Sequence, residues 1–114
     1  MKGQLTIINL LECNEALVCS RKHLESFGRE LCKVIHMNPY GKPIVMKFGK
    51  GKLKGYSAIQ MIETSSITVH LDEFENKAFI DIFSCKEFDA FSAKSFSKKY
   101  FKSKKAMSRT IMRK

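Results

Sequence analysis

The chain has 114 residues, 44% of them hydrophobic, and carries 21 Lys or Arg against 11 Asp or Glu, a net charge of +10. That length sustains one domain (residues 1–114) with a single core, but a deep enclosed site is hard to build within one copy, so a site at a dimer interface is expected. Apolar runs such as Ile7 with Ile8 and Leu10 with Leu11 break within a few residues, too short for a membrane span, and no signal-peptide pattern follows Met1 and Lys2, so a cytoplasmic protein with no membrane partner is expected.

In chain order, residues 5–11 alternate as a half-buried strand, and a turn is expected over 12–16. Ser20 is placed to cap a helix running to about residue 37, with Leu24, Phe27, Leu31 and Ile35 as one apolar stripe. Asn38, Pro39, Gly41 and Pro43 end it. A strand is expected over 43–48, then a glycine-lysine loop over 49–55 that lacks the spacing of a nucleotide phosphate loop. Strands follow over 56–62, 65–71 and 78–84. A last helix over 89–101 is capped by Asp89 and has Ala93, Phe96 and Tyr100 on one side. This order predicts an α+β, two-layer sandwich: an antiparallel β-sheet with helices packed on one face.

Nine of the Lys and Arg residues lie between Ala90 and Lys114, where no acidic residue occurs. No aromatic-basic pattern accompanies them, so a solvated helix face and tail is expected rather than a nucleic-acid partner. The four cysteines form no C-x-x-C pair, and no metal site is expected. Cys13, Cys19 and Cys32 read as small apolar residues in or near the core. His23 and His36 read as a helix-surface and a helix-end residue. Asp81, on a strand expected to be buried, calls for a hydrogen-bond partner.

The chemistry concentrates in the 29 residues from Ser57 to Cys85. On the strand over 65–71, Ser66, Thr68 and His70 share one face and Ile67, Val69 and Leu71 the other, while Asp81, Phe83 and Cys85 share a face of the next strand. The stretch GYSAIQMIETSSITVHLDEFENKAFIDIFSCKEFDAF resembles the core of the prokaryotic S-adenosylmethionine decarboxylases, small self-processing pyruvoyl enzymes of polyamine synthesis. The resemblance runs from about Leu5 into the final basic segment.

The resemblance implies specific roles. Ser65 becomes the covalent pyruvoyl cofactor, Ser57 and His70 assist processing, and Cys85 is the catalytic general acid. Cleavage falls between Thr64 and Ser65, giving a β chain of residues 1–64 and an α chain of residues 65–114. The pyruvoyl ketone forms an imine with the α-amine of a small-molecule amino-acid substrate and takes up the electrons released with carbon dioxide. The enzyme is implied to be a homodimer, with pyruvoyl and cysteine from one protomer and the processing serine and histidine from the other.

The chain departs from the family's pattern at three places. Thr64 replaces the glutamate before the cleaved serine, Phe74 stands where a glutamate holds the ribose hydroxyls, and Gly51 stands where an aromatic residue stacks on adenine. Glu73 and Glu75 flank Phe74 and are the candidate substrate-binding residues. Three readings follow: an S-adenosylmethionine decarboxylase, a pyruvoyl-dependent decarboxylase of ornithine or arginine held by Asp72, Glu73, Glu75 or Asp81, and an unprocessed, inactive homologue acting as a binding or regulatory partner.

Overall fold

Segments with period-two alternation and two capped amphipathic segments generate most of the architecture. The structure, a computed structural model, describes residues 2–114. Its elements are β1 (Gly3–Leu11), α1 (Glu15–Val18), α2 (Arg21–Val34), β2 (Ile44–Phe48), β3 (Gly55–Ile62), β4 (Ser65–Asp72), β5 (Lys77–Ser84), α3 (Ala90–Tyr100) and β6 (Lys105–Arg113). The strands form one sheet in the order β2-β3-β4-β5-β1-β6, with every neighbouring pair antiparallel. The helices lie on one face, so the expected two-layer α+β sandwich is the fold. No helix among the described residues is long and apolar enough to cross a membrane.

The caps act as their residue types require. Ser20 Oγ accepts from the His23 backbone N–H at 3.1 Å, and Asp89 Oδ1 accepts from that of Phe91 at 3.0 Å, each satisfying a donor that the first helical turn leaves free. α2 stops at Val34, three residues short of the expected end. His36 takes the left-handed conformation (φ 58°), and the Met37 N–H turns back to the Cys32 carbonyl at 2.9 Å.

The buried side of the sheet carries Ile8 and Leu10 (β1), Ala58 and Ile62 (β3), Ile67, Val69 and Leu71 (β4), and Ala78, Ile80 and Ile82 (β5). Against it pack Leu24, Phe27, Leu31 and Cys32 of α2 and Ala93 of α3, the expected stripes. A Cβ on Gly28 would fall 2.6 Å from Gln60 Cβ, so glycine here lets α2 settle close to β3. His23 is more than a surface residue. It stacks on Tyr100 with ring centroids 3.9 Å apart, its Nε2 lies 2.7 Å from the Tyr100 carbonyl oxygen, and the Tyr100 hydroxyl donates to the His23 carbonyl at 2.6 Å, joining α2 to α3.

Four further expectations change. The basic end is a helix face only in part: Lys94, Lys98 and Lys99 lie on α3, but in place of a tail residues 105–113 form β6, an edge strand beside β1, where lysines and arginines discourage pairing with another sheet. The turn over 12–16 contains the start of α1, capped by Asn14. Cys19 lies exposed at the end of α1, outside the core, whereas Cys13 and Cys32 are buried. Asp81 is exposed, because Ile80 and Ile82 take the helix side of β5, and no hydrogen-bond partner for it occurs among the described residues.

The other face of the sheet has no helix over it. Ile44, Met46, Phe48, Ile59, Met61, Phe79, Met107 and Ile111 are 39–58% exposed there, an apolar surface broader than scattered single residues.

Candidate active site

Two groups of polar side chains stand at different ends of β4. The first surrounds the β3–β4 connection. Ile62 pairs with Ser65, leaving Glu63 and Thr64 as a two-residue loop. Ser65 opens β4 and is buried, and the Cys85 backbone N–H reaches its Oγ at 3.4 Å. Thr64 Oγ1 lies 2.7 Å from Cys85 Sγ and donates to the Glu63 carbonyl at 2.6 Å. With the threonine proton so committed, the thiol is the donor in the first contact. Residues 36–40 and Lys86 complete a pocket of about 360 Å³ around Thr64, Ser65 and Cys85.

The second group is Ser57 with His70, directly opposite each other on β3 and β4, Ser57 Oγ 2.7 Å from His70 Nδ1. Ser57 is half-buried and His70 exposed, both on the helix-free face. His70 lies five residue steps along the strand from Ser65, about 16 Å at 3.3 Å per residue, and the odd spacing turns their side chains to opposite faces. Within one chain the two groups do not meet.

The carboxylates near Phe74 are already engaged. Glu73, with 14% side-chain exposure, pairs with Lys47 at 3.3 Å and Lys54 at 3.9 Å. Glu75 pairs with Lys77 at 3.4 Å, and Asp72 Oδ1 accepts from the backbone N–H groups of Phe74 and Glu75. Lys52, from the glycine-lysine loop, sits 5.3 Å from the centroid of the exposed Phe74 ring. The structure therefore brings neither Glu73 nor Glu75 forward as a free anion.

The thiols differ in setting. Burial pushes Cys13 and Cys32 up to about 11. Cys19 is also raised, first by partial burial and then by the charges of Glu73 and Glu15. Cys85 is half-buried beside the pocket. No group of three or more His, Cys, Asp or Glu able to hold a metal ion occurs among the described residues.

A six-stranded antiparallel sheet with one helical layer, bearing a serine-cysteine pocket at one strand end and a serine-histidine pair at the other, sets the class: an α+β protein with the residue set that the sequence resemblance calls for. The chain belongs to the S-adenosylmethionine decarboxylase family, whose model matches residues 4–114. Among solved structures it is similar to the adenosylmethionine decarboxylase from Aquifex aeolicus VF5, with a TM-score of 0.79 over 96% of this chain and 88% of that one. Identity is 12%, so that likeness speaks to the fold. The comparison with curated proteins gives no match.

One contact escaped sequence reasoning: Thr64 on Cys85, 21 residues away. Its only local signal is a β-branched residue in a tight turn position that favours Gly or Asn.

Proposed function

We propose that the chain is a self-processing, pyruvoyl-dependent decarboxylase that works as a homodimer. The carrying observation is the split placement of Ser65 and Cys85 at one end of β4 and of the Ser57–His70 pair at the other. A second copy is then needed to supply the serine-histidine pair, and the helix-free sheet face, with its exposed apolar side chains, is the surface it would cover.

In processing, Ser65 Oγ attacks the Thr64 carbonyl carbon. The C–N bond breaks, the nitrogen takes the hydroxyl proton, and an ester joins the two halves. The partner protomer's counterpart of His70 removes the Ser65 Cα proton, the Cβ–O bond breaks, and residues 1–64 leave with a carboxylate. Ser57, hydrogen-bonded to Nδ1, orients that imidazole. Water then replaces the nitrogen of the dehydroalanine at position 65 and ammonia departs, with no net oxidation. The pocket suits the resulting group: residue 65 is buried and has the Cys85 N–H as a nearby donor. A pyruvoyl group there supplies a ketone that takes up the electrons left by departing carbon dioxide. Cys85, at the pocket wall, returns a proton to the substrate carbon.

S-adenosylmethionine is the family's substrate and the first reading. The loss of nucleoside contacts at Gly51 and Phe74, the latter with Lys52 over its ring, supports a smaller amino acid such as ornithine or arginine as the second. With Asp72, Glu73 and Glu75 engaged, Asp81 is the carboxylate on the open face that suits a distal cation. Intact mass under denaturing conditions tests the proposal. Two fragments divided between Thr64 and Ser65, the second with a pyruvoyl terminus, are expected, followed by carbon dioxide release from one of the three substrates. A single chain that persists on long incubation refutes it and leaves the inactive binding partner as the reading.

A further inference from the structure

Five non-glycine residues among those described have positive φ, and Thr64 is the only β-branched one (φ 58°). Branching at Cβ makes the left-handed region especially unfavourable, and a tight loop normally assigns it to Gly or Asn. The strained residue owns the carbonyl that Ser65 would attack, and its hydroxyl accepts a hydrogen bond from the Cys85 thiol at 2.7 Å while donating to the Glu63 carbonyl. Strain concentrated at such a position is a signature of function.

We propose that Thr64 is a positioning residue with two linked tasks: in the uncut chain it masks Cys85, and its relaxation on cleavage releases that thiol. This rests on the self-processing reading above. The peptide bond between Thr64 and Ser65 holds Thr64 in the turn. Once cleavage makes Thr64 a chain end, neither strand pairing nor the peptide link retains its left-handed backbone, and the hydroxyl leaves Cys85. The precursor thus keeps its general acid covered until the ketone exists. A glutamate at position 64, the residue implied by the family resemblance, would place a carboxylate beside the thiol and hinder formation of a thiolate. Threonine covers it without charge.

The masking is tested in a chain that cannot cut itself. Cys85 alkylation by iodoacetamide is followed by peptide mass mapping in Ser65→Ala, in Thr64→Val with Ser65→Ala, and in Thr64→Ser with Ser65→Ala. Exposed Cys19 serves as an internal reference. Valine keeps the branched shape and removes the hydroxyl. Cys85 should react about fivefold faster with valine, the factor of one lost hydrogen bond, and at the parent rate with serine. Cleaved wild-type protein should match or exceed the valine variant. Relief of that strain as the bond breaks also favours cleavage, so in chains that retain Ser65, Thr64→Gly, which relaxes the backbone, should slow cleavage about tenfold. Equal Cys85 reactivity in the valine and parent chains overturns the masking, and undiminished cleavage in the glycine variant overturns the use of strain. If wild-type protein never cuts, the processing reading falls, while the alkylation comparison still decides whether Thr64 covers Cys85.

Discussion

Coexpression of two inactive variants offers the sharpest test of the split site. His70 stands about 16 Å along β4 from Ser65 and faces the other way, while proton transfer requires hydrogen-bond reach of about 3 Å. Removing the imidazole in His70→Ala should therefore slow self-cleavage by about a hundredfold or more, the usual contribution of a positioned acid or base. Ser65→Ala removes the nucleophile outright. In a heterodimer of the two, one site combines Ser65 of the His70→Ala chain with the intact histidine of the Ser65→Ala chain, and the other site has neither. With equal expression and random pairing, about half of the His70→Ala chains should be cut, and none of the Ser65→Ala chains. Differently tagged chains separated by mass after coexpression give the fractions directly. Pairing wild-type chains with a Ser65→Ala, His70→Ala double variant provides the control, since every site in that heterodimer lacks one group. Cleavage of His70→Ala alone at the wild-type rate, or absence of rescue in verified heterodimers, would refute the argument that each site draws on two chains.

Ile59→Lys places a charge on the open sheet face and should shift dimers to monomers in sedimentation velocity, whereas an unchanged dimer would move the interface elsewhere. Phe27 is fully buried and packs against Phe96, Tyr100 and Phe101, so Phe27→Ala should lower stability by about 3–5 kcal/mol in urea unfolding. Phe74→Glu restores a carboxylate at the position implied to hold ribose hydroxyls and should tighten S-adenosylmethionine about tenfold by calorimetric titration. Asp89 is held below the usual carboxylate range, first by the Ser92 hydroxyl and then by the N–H groups of Phe91 and Ser92. Its contribution is present at neutral pH and is lost as pH falls through its lowered pKa, so Asp89→Asn should flatten the acid side of the stability profile.

Local pattern reached far in this chain. Period-two alternation gave away five strands, Ser20 and Asp89 announced both longer helices, and apolar stripes identified the faces that bury Leu24, Phe27, Leu31 and Ala93. These are properties of neighbouring residues and of one-turn spacing, which a linear reading contains. The alternation on β4 likewise put His70 on the face opposite Ile67 and Val69. Tertiary structure alone decided what depends on pairing between distant segments. The charges of residues 105–113 hid a strand whose partner, β1, lies about a hundred residues earlier. Whether Asp81 faced helices or open space depended on which side of β5 the helices cover. Lys47 and Lys54 reach Glu73 only because the glycine-lysine loop comes back toward the β4–β5 turn. The Thr64–Cys85 contact arises the same way: β5 returns beside β4 and ends next to the β3–β4 loop, so two residues with no periodic relation in sequence share one pocket.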